Sequence, residues 1–196
     1  QEYGIERVQD LVALRVVLSS EGTEHADAYA ACQAIVAKDD AYEAMLAAAH
    51  DAAQAASGVD EAGRRTCVQG EHDLPMLYGH ARAALPHFER MANTIVENFN
   101  ACKTEKGKPA VVLILSPLKH LYRCIEKMCL KAGERRHRCE SICDMVRCII
   151  ECDSCSLMQE VLQAILDCDA VDVLRVKDRV NRLTSMNWMD VMVNLK

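Results

Sequence analysis

The chain has 196 residues, of which 51% are hydrophobic, 27% charged and 4% aromatic, and its net charge is −6. That length suits one medium domain or one domain with a helical extension, and the acidic balance argues against dedicated nucleic-acid binding, which wants a uniformly basic face. Apolar runs such as Ala110–Leu115 fall far short of the roughly 20 residues that span a bilayer, so no membrane insertion is expected.

The charge is uneven, with basic clusters at Lys103–Lys108 and Arg135–Arg138. Eleven cysteines is an odd number, and seven of them lie between Cys124 and Cys155. Most occupy apolar positions of helical or strand patterns, where free Cys behaves as a small buried hydrophobe. A reducing, intracellular compartment is expected rather than a secreted disulfide framework. The chain begins at Gln1 without Met or signal-like segment. It reads as a processed or trimmed product, organellar import being one route to it, and the localisation is otherwise unknown.

In chain order, Val8–Leu18 is an apolar run compatible with a buried strand or a helix. His25–Ser57 is Ala-rich and predicts one or two helices. Gly58–Asp73 lacks periodicity and reads as a loop. Pro75 opens a helix to about Cys102, which Pro86 should kink or break. Thr104–Pro109 is the expected boundary between a mostly helical N-terminal region, residues 1–103, and a second region, residues 110–196. In the latter, Ala110–Leu115 has the look of a short extended segment. Ser116 and Pro117 are N-cap and first-turn signals for a helix to Ala132. Met145–Glu151 predicts a strand, and Ser154–Cys168 an amphipathic helix burying Leu157, Met158, Val161, Leu162 and Ile165. Val171–Lys177 and Trp188–Leu195 alternate as strands, joined by Asp178–Met186, and should pair antiparallel. The fold class is α+β, its C-terminal order helix, strand, helix, strand, strand.

Four stretches of this region carry chemistry. If Pro117–Lys127 is helical, Lys119, Arg123 and Lys127 follow i, i+4 steps along one face. Aligned cations repel unless an anion lies between them, and a polyphosphate is the simplest such anion; the alternative is a solvated basic stripe. Asp144 and Arg147 put an acid and a base at the head of the next strand, either a Mg²⁺ carboxylate facing phosphates or a structural ion pair. Lys177 and Arg179 end the following strand, and Trp188, the only tryptophan, opens the last, placed to stack on a base or to sit in the core.

In this order and spacing, the four stretches resemble the synthetase-type domain of the RelA/SpoT family over about 80 residues. In that family a Lys-containing helix with a second Lys eight residues later holds ATP phosphates, a spacing that Lys119 and Lys127 keep. A metal-binding Asp heads the next strand, where Asp144 stands. The nearest pattern is that of eukaryotic variants, with Asp144/Arg147, Lys177/Arg179 and Asn187-Trp188-Met189-Asp190 on the corresponding strands. The family transfers pyrophosphate from ATP to a guanine nucleotide. The resemblance therefore implies that Lys119, Arg123 and Lys127 hold donor phosphates and Asp144 holds Mg²⁺. Arg147, Lys177 and Arg179 would meet phosphates, and Trp188 the base.

The pattern also departs from the family. Pro117 replaces an expected Arg, Asn187-Trp188 replaces Gly-Tyr, Asp190 and Met192 stand for a Ser and a His, and no second acidic strand follows before Lys196. A lone carboxylate is a poor metal site. The expectation is a degenerate or incomplete RelA/SpoT-like domain acting as a nucleotide-binding or assembly module, with ATP or a guanine nucleotide, and other proteins, as partners. The alternatives are an active pyrophosphotransferase whose second acid lies outside this chain, and a non-catalytic accessory subunit of a large complex. Asp10–Val17 is similar to the family's Asp-x-x-x-x-Arg strand and is read as coincidence or an extra strand. Cys139, Cys143, Cys148, Cys152 and Cys155 with His137 offer a weak zinc pattern, lacking a second short-spaced pair, and buried thiols are the simpler reading. Arg135–Arg138 is either a solvated loop or a docking patch.

Overall fold

A computed structural model describes residues 27–56, 69–103, 109–130, 137–183 and 189–196. The run Val8–Leu18, the Asp10–Val17 stretch, most of the loop after Ser57, the boundary at 104–108 and Trp188 lie outside the described residues.

The Ala-rich segment forms two helices, α1 over 27–36 and α2 over Tyr42–Ala55. Asp39 sits in the break between them. Its carboxylate accepts from the Ala41 N–H at 2.8 Å and, far along the chain, from the Cys155 N–H at 3.0 Å. These bonds hold its pKa below the usual carboxylate value. Helix α2 buries Met45, Ala49, Ala52 and Ala53, and small Ala side chains let its backbone approach what it packs on.

Helix α3 spans Leu74–Lys103. Asp73 caps it, accepting from the Met76 N–H at 2.9 Å. The expected break at Pro86 does not occur: α3 runs through it. Pro86 is exposed, so the carbonyl that loses its N–H partner there faces solvent rather than a dry core. Near the helix end, Asn100 donates to the Val111 carbonyl at 2.8 Å and accepts from the Val111 N–H at 3.0 Å. That amide mimics a strand neighbour and pins the start of β1.

The rest follows as β1 (Val111–Leu115), α4 (Leu121–Leu130), a short 3₁₀ turn (Cys139–Ser141), β2 (Cys148–Cys152), α5 (Cys155–Leu166), β3 (Val173–Asp178) and β4 (Val191–Leu195). The fold is α+β. The strands form two antiparallel pairs, β1–β2 and β3–β4, in separate two-stranded sheets among the described residues. In β1–β2, Val111 faces Cys152 and Leu113 faces Ile150. This inner face packs on Val96 and Phe99 of α3 and on Leu157, Val161 and Ile165 of α5. The outer face carries Val112, Ile114 and Ile149, all exposed.

In β3–β4 the register shifts between Val173 and Arg175. Val173 and Val176 are three residues apart and would face opposite sides of a regular strand. The extra residue lets both pack in one core with Val191, Val193, Leu162 and the alanines of α2. Ser154 caps α5 through its hydroxyl oxygen, 3.3 Å from the Leu157 N–H. Of the expected apolar face of α5, Leu157, Val161 and Leu162 are buried, and Met158 and Ile165 half-buried. Among the described residues the N-terminal helices pack on the second region: Leu77 and Ala81 of α3 pack with Cys124, Cys139, Ile142 and Met145, and Met45 and Ala49 of α2 with Cys155 and Val180.

Candidate functional site

The helix expected from Ser116 begins only at Leu121. The N–H of Ser116 bonds the Arg147 carbonyl at 3.3 Å, and that of Lys119 bonds the Met145 carbonyl at 3.0 Å. These bonds prolong the β1–β2 pairing past the ends of the strands and override the capping signal at Ser116-Pro117. Lys119 therefore lies before α4, not on it, and the three-cation helical face does not form. Likewise the strand expected from Met145 begins at Cys148, leaving Asp144 in the loop ahead of it.

That loop brings the two lysines together by another route. Lys119 Nζ donates to one Asp144 carboxylate oxygen at 3.0 Å, and Lys127 Nζ to the other at 2.8 Å. The Lys119 side chain is only 10% exposed, that of Asp144 23% and that of Lys127 35%. Burial pushes the Asp144 carboxyl pKa up, but the hydrogen bonds and charges of Lys127 and Lys119 outweigh it, and the net shift is downward. Beneath them Cys124 is fully buried, its Sγ 3.4 Å from Met145 Sδ. Burial raises its thiol pKa although Lys119, Lys127 and Arg147 all pull it down. Lys119 and Lys127 thus share the single carboxylate of Asp144. Arg147 is exposed, and among the described residues no carboxylate pairs with it.

The other expected site residues have partners or positions of their own. Arg123 is exposed on α4 and paired with Glu126. The Arg179 guanidinium is engaged by Asp190 through two bonds of 2.5 and 2.6 Å. Lys177 is exposed on β3 opposite Met192. Arg138 pairs with Glu140 at 3.1 Å, while Arg135 and Arg136 are outside the described residues.

One contributor was missed. Asn194, 6% exposed, accepts two bonds from Arg175, at 3.0 and 2.8 Å, and donates to the Cys143 carbonyl at 3.2 Å. It ties β4 to the residue just before Asp144. Only the β3–β4 register, not residue spacing, places Asn194 beside Arg175.

The residues around Asp144 do not fit a resident Mg²⁺. A hard dication takes several oxygen ligands, whereas both oxygens of this carboxylate receive ammonium hydrogens. Among the described residues no three His, Cys, Asp or Glu side chains converge as a metal site, the cysteines of 139–155 included. Nor is any helix among them long and apolar enough to cross a membrane. No protein-family model, no curated protein and no solved structure matches the chain.

Proposed function

We propose that residues 110–196 form a RelA/SpoT-like domain that keeps phosphate binding without catalysis, serving as a nucleotide-binding or assembly module. The observation that carries this reading is the convergence of Lys119 and Lys127, eight residues apart, on one carboxylate. Two ammoniums against one carboxylate, with the exposed Arg147 three residues further along the chain, leave an excess of positive charge inside a chain whose net charge is −6, and Coulomb attraction with charge-assisted hydrogen bonds suits a di- or triphosphate. Catalysis of pyrophosphate transfer would ask Asp144 to hold Mg²⁺ against those phosphates, a duty its two lysine bonds oppose.

Isothermal titration with ATP, GDP and GTP, with and without Mg²⁺, tests it. Lys127→Gln and Arg147→Gln are the informative variants, because both side chains are accessible and their loss should spare the fold. Micromolar binding, weakened about tenfold or more by either change, is the expected result. No heat at millimolar nucleotide would sink the reading.

A second reading, an accessory subunit of a larger assembly, is favoured by the exposed outer face of β1–β2, Val112, Ile114 and Ile149, and by Leu121, Tyr122 and Ile125 on α4. Light scattering of the chain and of an Ile114→Ser, Ile149→Ser variant tests self-assembly through that face. A monomer in both cases would remove self-assembly through that face.

A further inference from the structure

The mismatch between Asp144 and a metal site points elsewhere. We infer that Asp144 is a built-in counter-anion of the Lys119–Lys127 pair, and that a phosphate group enters without a metal by taking its place on Lys127. This rests on the phosphate-binding reading above and specifies how the same site is regulated.

The geometry supports an exchange of anions. Each carboxylate oxygen serves one lysine, at 3.0 and 2.8 Å, so Asp144 spans the two ammoniums as a phosphate would. The two ends differ in access. Lys119 is nearly buried and needs a permanent partner, because a desolvated ammonium without one is costly. Lys127 is the open end, 35% exposed, and Arg147 is exposed two residues after Met145, whose carbonyl holds the Lys119 N–H. An incoming phosphate can therefore meet Lys127 and Arg147 while Asp144 stays on Lys119. The ligand brings more than one negative charge against the single charge it displaces, and that difference drives the exchange. A Mg²⁺ ion faces the opposite balance. It must draw Asp144 away from both ammoniums, and among the described residues no group of three His, Cys, Asp or Glu side chains converges to complete its shell.

In this arrangement Asp144 competes with the ligand. Sites with a tethered internal anion bind weakly until that anion is removed, so the variant lacking the charge gains affinity instead of losing it. A metal-ligand Asp behaves in the reverse way.

The experiment is titration of inorganic pyrophosphate into the wild-type chain and into Asp144→Asn, each in EDTA and again in excess Mg²⁺. Wild-type protein should bind metal-free pyrophosphate at least as tightly as the Mg²⁺ complex, and Asp144→Asn should bind it about tenfold more tightly. The wild-type comparison decides the point even where Asp144→Asn does not fold. A strict Mg²⁺ requirement, or weaker binding by folded Asp144→Asn, overturns the counter-anion role and leaves the phosphate site standing. Binding by neither protein under either condition removes the phosphate site itself, and the inference with it.

Discussion

Replacing Lys119 by Met tests whether the Asp144 cluster also holds the fold. Removing one partner of a fully buried ion pair costs roughly 3–5 kcal/mol, whereas an exposed pair contributes about 0.2–1 kcal/mol. Lys119 lies near the first limit, with a side chain 10% exposed. Asp144, however, is 23% exposed and keeps Lys127 at 2.8 Å, so the loss should fall between, at about 2 kcal/mol. Lys127→Met removes a half-exposed partner and leaves Asp144 bonded to Lys119, so it should cost under about 1 kcal/mol. Urea denaturation monitored by circular dichroism gives both values, provided the slope with denaturant is unchanged. A double-mutant cycle with Asp144→Asn then isolates the pair: Lys119→Met should cost about 1 kcal/mol less, or nothing, once the carboxylate has gone. Equal costs for the two lysines, or strict additivity with Asp144→Asn, would refute the reasoning.

Four further outcomes are expected. Pro86→Ala should stabilise the exposed middle of α3 by about 1–3 kcal/mol, read as a raised thermal midpoint, because it restores a donor and removes a ring from a helix interior. Timed alkylation at pH 8 with peptide mass spectrometry should label exposed Cys32 and Cys129 first; Cys148 and Cys152, their pKa pushed up to about 11 mainly by burial, should lag, and buried Cys124, Cys139 and Cys155 should react last. Asp144 has its pKa lowered from the ordinary 3.8, so its contribution is fully present above that value and disappears as pH falls through the lower native one; the stability gap between wild type and Asp144→Asn should be flat near neutrality and close only in strong acid, as urea midpoints across pH will report. Asn194→Asp keeps an acceptor for Arg175 but cannot donate to the Cys143 carbonyl, so it should cost about 1–2 kcal/mol in the same denaturation assay.

Much of the architecture was legible in the residues. Helix α5 was readable because Leu157, Val161 and Leu162 repeat on one face and Ser154 marks its start, both local signals. The antiparallel β3–β4 pair was readable from alternation and from the short link between the strands. Other features depended on partners distant in sequence. Ser116-Pro117 is a sound helix start by local rules, yet the carbonyls of Met145 and Arg147 hold the segment extended. Pro86 should kink or break a helix by local rules, yet α3 continues through this exposed position. The shifted register of β3 puts Val173 and Val176 in one core, which strict alternation forbids. Asn194 carries no local signal of its own, because its worth lies in touching Arg175 and Cys143.

The candidate site shows why residue choice and geometry separate. Eight residues along an uninterrupted helix span about 12 Å of axis, so a fully helical 119–127 would spread its lysines along a ligand. Here the segment at Lys119 is extended and α4 starts at Leu121. The two ammoniums consequently meet at one carboxylate, at 3.0 and 2.8 Å. A helical row would suit a long polyphosphate laid along it, with Arg123 in the middle. The observed arrangement leaves Arg123 to Glu126 and gathers Lys119 and Lys127 on Asp144. Under the proposed phosphate-binding reading, such a cluster suits a di- or triphosphate gathered at one point rather than a chain laid out along a helix. The lysine spacing would be the same in either case; the ligand each geometry fits is set by the backbone bonds from Lys119 to Met145 and from Ser116 to Arg147.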